Sequence, residues 1–185
     1  MKYSNEWLKA QLESGFLPKY LFFWGHQPSK DGAISKSCFS QWWDAHPFIV
    51  DEIEYKTAEH WMMAGKAKLF NDQESLEKIM RCKTAAETKK IGRQVQNFEA
   101  KTWEANCYEL VKQGNLHKFG QHPDLKEFLL NTKSRILVEA SPLDFVWGIG
   151  LAADAAEAQY PDKWKGSNYL GYVLMEVRDE LTEVL

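Results

Sequence analysis

Apolar positions recur at helical spacing through most of this chain, and over 48–55 they alternate with acidic ones. Residues 5–14 predict a short amphipathic helix with Trp7, Leu8 and Leu12 on one side, stopped by Gly15. Residues 20–25 are a run of aromatic and apolar residues suited to a buried strand, and residues 27–37, with Pro28 and Gly32, read as a loop. From 48 to 55, Phe48, Val50, Ile53 and Tyr55 alternate with Asp51, Glu52 and Glu54, which predicts a hairpin or a bent strand. The next stretch, 57–70, is apolar nearly throughout, with Thr57 as a natural helix cap.

The remainder reads as mostly helical. Asp72 caps 73–81, and Thr84 with Glu87 forms a capping box for a helix ending near Gln94. Asn97 is expected to cap a long helix from Phe98 toward Lys112, with Trp103, Tyr108, Leu110 and Val111 in the core. Pro123 opens a helix over 124–130, residues 135–140 are strand-like, and a glycine-punctuated loop over 147–165 leads to a last helix, capped by Asn168 and running through Leu181. The pattern predicts a mainly α protein with a few short β-strands (α+β), in one domain spanning 1–185 without internal repeats.

Two positions in the apolar stretch break its logic. At 100° per residue, Ala58, Met62, Met63, Leu69 and Phe70 occupy one arc of a helix, and Glu59 and Lys66 fall within that arc. Burying charge costs several kcal/mol unless it is paired or hydrogen-bonded, so this helix is the first place to look for chemistry. Each charge also has a structural reading. Glu59 lies in the first turn, where free N–H groups and the helix dipole favour a carboxylate, and Lys66 can carry its head across apolar surface to water. Neither reading explains why both share the apolar arc.

Composition narrows the field. A formal net charge of -3 argues against broad binding to phosphate backbones, so nucleic acid is expected only as a locally recognised, modified-base substrate. Three cysteines, Cys38, Cys82 and Cys107, lack metal-ligand spacing and fit a reducing compartment. With no signal-like or membrane-length apolar run, the expected location is cytoplasmic and no membrane partner is expected. The five histidines lack the pairing of a zinc helix, and no metal or cofactor is expected. Phosphate-cradling loops, dinucleotide glycine fingerprints and nucleophile elbows are all missing, so kinase chemistry, hydride transfer and a serine triad lose their support.

Two aromatic clusters suggest a site for something planar. Trp147-Gly148-Ile149-Gly150 sets an indole beside glycines that allow close approach, and Ser40-Gln41-Trp42-Trp43 sets an amide beside π-faces. A buried tryptophan wedge at a turn explains the first cluster equally well. Arg93 can bind a carboxylate or phosphate, although a cation at a helix C-terminus is also favoured by the dipole.

As a set, the blocks around Phe23-Trp24-Gly25-His26, Ser37 to Trp43, Thr57 to Ala67, Ile91-Gly92-Arg93, Gly114 to Phe119, Val138 to Asp144, Trp147 to Leu151, and Trp164 to Gly171 with Leu174 to Arg178 resemble the NADAR, or YbiA-like, family. The resemblance runs from 22 to 181. It implies the family's compact, helical single-domain fold and hydrolysis of N-glycosidic bonds between ribose, carried as a phosphate or ADP-ribose, and a base or amine. Riboflavin-pathway intermediates are one such small-molecule substrate. A non-catalytic ADP-ribose or nucleotide-binding module, and removal of ADP-ribose from guanine in DNA, are the alternatives. The resemblance places the catalytic carboxylate at Glu59 and substrate contacts at Trp42, Lys66, Arg93, Trp147 and Asn168; the two aromatic clusters add Gln41 and Gly148 as expected contacts, and the first block adds Phe23. Some relatives carry an acid where this chain has Ile149, so that role does not transfer. Asp144, Asp154 and Glu139 are the candidates for a second acid. An apolar setting would raise the Glu59 pKa and Lys66 would draw it back down.

Overall fold

The computed structural model describes residues 1–183; the last two positions of the expected 1–185 domain lie outside the described residues. It is mainly helical with a few short strands, and it divides into two compact units. Unit 2 is the continuous segment Gln41–Pro123, and unit 1 joins Met1–Ser40 to the chain from Asp124 onward.

Unit 1 is built on a parallel pair, β1 (Tyr20–Phe23) beside β4 (Ile136–Glu139), with Tyr20 opposite Ile136 and Phe23 opposite Glu139. Such a pairing requires a long crossover, here supplied by the whole of unit 2. Helix α7 (Tyr169–Glu183) packs on β4 and buries Leu170 through Arg178 without a break. Their approach is close enough that a Cβ on Gly171 would strike the Leu137 carbonyl oxygen. Helix α1 (Asn5–Glu13) is capped by Ser4, whose hydroxyl accepts the Trp7 N–H at 3.1 Å, and it is tied to α7 where the Tyr172 hydroxyl donates to Asn5 Oδ1 at 2.9 Å.

Unit 2 begins with the hairpin β2 (Phe48–Val50) and β3 (Ile53–Tyr55). Asp51 and Glu52 make its turn, both with positive φ, 51° and 63°, the backbone a tight two-residue turn demands. Gln121 covers the outer edge of β2 as a strand would: its amide accepts the Ile49 N–H at 2.9 Å and donates to the Ile49 carbonyl at 2.7 Å. Helix α2 (Ala58–Leu69) is the hub, with α3 (Gln73–Arg81), α4 (Ala85–Gly92) and α5 (Ala100–Gln121) all packed on it. Gly114 admits the Trp61 ring against α5, and the indole donates to the Leu110 carbonyl at 2.8 Å. Helix α6 (Pro123–Leu130) follows α5 and, from Asp124, belongs to unit 1.

The caps at Thr57, Asp72 and the Thr84–Glu87 box are as the sequence predicts. Three details differ. Asn97 does not cap α5: it turns the chain at φ 55°, and Glu99 accepts the N–H groups of Lys101 and Thr102 at 3.1 and 2.7 Å, since a carboxylate reaches both first-turn donors. That helix runs on to Gln121, beyond Lys112. Trp103, Tyr108 and Leu110 are half-buried instead of core, because Cys107, Val111, Gly114 and Lys118 form the buried face.

Candidate functional site

In unit 2, Thr57 ends the hairpin and starts α2, so Glu59 falls in the helix's first turn, where it is only 5% exposed. Helix α2 is buried on nearly every side, His60, Ala64 and Ala67 included, not along one arc. Glu59 is held by its backbone as well. Its N–H, a first-turn donor without an intrahelical acceptor, donates to the Gln41 carbonyl at 2.9 Å. The segment carrying Gln41 and Trp42 is thereby fastened to the residue that carries the carboxylate.

The Gln41 side chain is buried too, 8% exposed. Its Nε2 donates to Asn115 Oδ1 at 3.2 Å, and Asn115 Nδ2 donates to the Val111 carbonyl, one turn back on α5, at 2.9 Å. Asn115 has no exposed surface. Little in the amino-acid pattern marks its part beyond a polar residue on a mostly apolar helix face. Beside Gln41, the half-buried Trp42 has the Lys89 ammonium 5.8 Å from its ring centroid.

Lys66 is half-buried, and its ammonium turns to the last turn of α4. It donates to the Gly92 carbonyl at 2.9 Å and lies 4.2 Å from the Phe98 ring centroid and 5.5 Å from that of Trp103. The expected restraint of Glu59 by Lys66 therefore gives way to a different contact set. Burial lowers the Lys66 pKa below the ordinary lysine value. Arg93 follows as the exposed C-cap of α4. His60, one residue after Glu59, is buried with Nδ1 2.8 Å from the Thr57 hydroxyl and Nε2 3.3 Å from the Cys82 carbonyl. Nε2–H donating to that carbonyl and Nδ1 accepting from Thr57 satisfy the neutral ring, and burial pushes its pKa down. The open groove lined by Ile53, Tyr55, Leu76 and Met80 holds none of the candidate residues.

In unit 1, the remaining candidates gather beyond the carboxyl ends of β1 and β4, with Asp154 apart. Phe23 is a core residue, 1% exposed and edge-on to Phe39 at 5.4 Å. Asp144 Oδ1 accepts the N–H groups of Val146 and Trp147 at 2.9 and 2.8 Å, so its carboxylate braces the loop that presents the half-buried Trp147. Gly148 is closed in: a Cβ there would lie 2.9 Å from the Glu139 carbonyl. Asn168 does not cap α7 with its side chain as expected. It sits at φ 53° with its amide turned to β4, accepting the Glu139 N–H at 2.9 Å and donating to the Leu137 carbonyl at 3.0 Å. Asp154 is exposed on the loop that follows, and Glu139, ending β4, is half-buried.

No cluster of three His, Cys, Asp or Glu side chains able to hold a metal occurs among the described residues, and no described helix is long and apolar enough to cross a membrane.

A mainly helical fold carrying a buried first-turn glutamate and an aromatic strand-end loop defines a class that comparison makes explicit. The NADAR domain model matches residues 22–182, and the chain belongs to that family. It is 42% identical over 166 residues to the N-glycosidase R617 of Acanthamoeba polyphaga mimivirus, covering 88% of this chain and 96% of that protein. The N-glycosidase YbiA of Escherichia coli K12 is 32% identical over 145 residues, 78% of this chain and 79% of YbiA. The solution NMR structure of E. coli YbiA superposes with a TM-score of 0.71 at 27% identity, covering 91% of this chain and 89% of that one.

Proposed function

We propose that this hydrolase of N-glycosyl compounds cleaves the bond between ribose, carried as a phosphate or as ADP-ribose, and a base or amine, with phosphorylated riboflavin-pathway intermediates as the first substrates to test. The observation that carries the reading is Glu59, a carboxylate withdrawn from solvent at the start of the hub helix and fastened to the Gln41–Trp42 segment. Rupture of a ribosyl C–N bond passes through an oxocarbenium-like centre that such a carboxylate stabilises. The water oxygen bonds to the anomeric carbon as the C–N electron pair leaves with nitrogen. Glu59 takes the water proton and returns it to the departing nitrogen.

Trp42 offers a face for the base, and Lys66 and Arg93 offer positive charge for phosphate. The resemblance also assigns substrate contact to Trp147, whose loop Asp144 braces as a positioning residue, while the Asn168 amide is spent on β4. Because Asp144 is committed to backbone N–H groups, both proton transfers fall to Glu59.

The test is mass spectrometry of products from a panel of phosphoribosylated pyrimidine amines, ADP-ribose conjugates and modified oligonucleotides. Wild-type protein is expected to release base and sugar from at least one phosphoribosylated pyrimidine amine, and Glu59→Gln to lose about 10²–10⁴-fold in kcat with its thermal unfolding unchanged. Full hydrolysis by the variant refutes the role of Glu59. Intact compounds after long incubation with wild-type protein leave only a binding module.

A further inference from the structure

Gln41 Oε1 is a buried acceptor that no donor among the described residues reaches. Its orientation is not free. Asn115 must present its NH2 group to the Val111 carbonyl, so it presents oxygen to Gln41, which must answer with its own NH2 group and turn Oε1 the other way. A polar network satisfied at every other atom and open at one marks a place where a partner arrives with a donor. That place belongs to the residue whose own carbonyl holds the Glu59 N–H.

We propose that Gln41 Oε1 accepts the sugar hydroxyl next to the anomeric carbon, and so makes the site selective for ribosides over 2′-deoxyribosides. The inference rests on the N-glycosidase reading of Glu59. Of the two groups flanking an anomeric carbon within the sugar, the ring oxygen only accepts, whereas the C2 hydroxyl donates. A carboxylate cannot substitute for Gln41 in Asn115's network without turning Asn115, so the amide supplies a neutral acceptor on the segment that Glu59's N–H holds, without adding a second negative charge. The hydrogen bond strengthens as positive charge grows at the neighbouring carbon, so it assists the reaction as well as binding. A site built to pair a hydroxyl also rejects the analogue lacking it, because the acceptor is then buried unpaired. The glycosidic bonds of DNA itself, which join bases to 2-deoxyribose, are thereby excluded as substrates.

Calorimetric titration of the full-length protein with ribose 5-phosphate and 2-deoxyribose 5-phosphate tests this without requiring turnover. Wild-type protein is expected to bind the ribose compound at least about tenfold more tightly, a preference that falls to within about twofold in Gln41→Met, which keeps the side-chain length and loses the acceptor. Equal affinity in the wild type, no binding of either sugar at millimolar concentration, or an undiminished preference in a folded Gln41→Met overturns the proposal. The wild-type comparison stands even where the variant does not fold. Hydrolysis of ribosyl and 2′-deoxyribosyl compounds at equal rates sinks this inference alone, whereas sugar preference without any hydrolysis sinks the N-glycosidase reading.

Discussion

The Lys66 ammonium rests on the Gly92 carbonyl oxygen, 2.9 Å away, and so joins the hub helix to the last turn of α4. A cation there meets the negative end of a helix dipole and a carbonyl without an intrahelical partner. Burial nevertheless dominates its ionisation and lowers its pKa. The folded state gives up this proton more readily than the unfolded chain, so the unfavourable contribution is complete at neutral pH and shrinks as pH rises toward the ordinary lysine value of 10.5. In an NMR titration of lysine Nζ groups Lys66 is expected to titrate below the exposed lysines. A midpoint at or above theirs removes burial as the dominant cause.

His60 has the opposite consequence at the acid end. Burial lowers its pKa, so between about pH 6.5 and the folded value the unfolded chain binds the proton and the folded one does not. The stability tied to its neutral ring is fully present above about pH 6.5 and is lost as pH falls through that window. Thermal unfolding of wild type and His60→Gln from about pH 7.5 to 5 is expected to converge on acidification. A constant difference between the two curves contradicts this.

Asn168→Ala strands the Glu139 N–H and the Leu137 carbonyl and places a Cβ-bearing residue at φ 53° without the local hydrogen bonding asparagine supplies. The expected loss is roughly 2–5 kcal/mol in urea unfolding. A loss below about 1 kcal/mol would show that water takes over both bonds.

Two glycine substitutions separate rigid from yielding neighbours. An alanine methyl at Gly171 meets the Leu137 carbonyl oxygen, which α7 and β4 hold in place, and is expected to cost about 1–3 kcal/mol or more. The methyl of Gly92→Ala overlaps the buried Met63 side chain from Sδ back to Cγ, a rotatable neighbour that has to repack but is not fixed backbone, and is expected to cost less than Gly171→Ala. Equal thermal shifts in the two variants would refute the distinction.

What the sequence made legible was local. Thr57, Asp72 and the Thr84–Glu87 pair announce helix starts because a cap and its target lie within one turn. Glu59 announces its burial through its apolar neighbours, and the structure keeps it from solvent. Asn97 misled because the competing Glu99 lies two residues on and satisfies two N–H groups. The destination of the Lys66 ammonium and the turning of the Asn168 amide to β4 depend on distant backbone, which periodicity does not encode. The same holds for Asn115, whose importance exists only once Gln41 lies beside it.

The β1–β4 pair also sets an order of assembly. Unit 2 is one unbroken stretch that contains α2 and the three helices packed on it, whereas Tyr20 cannot meet Ile136 until the entire intervening stretch has left the ribosome. During synthesis the aromatic run from Tyr20 to Phe23 therefore waits without its partner strand, exposed to chaperones and to misassociation, while the Glu59 helix already has its neighbours.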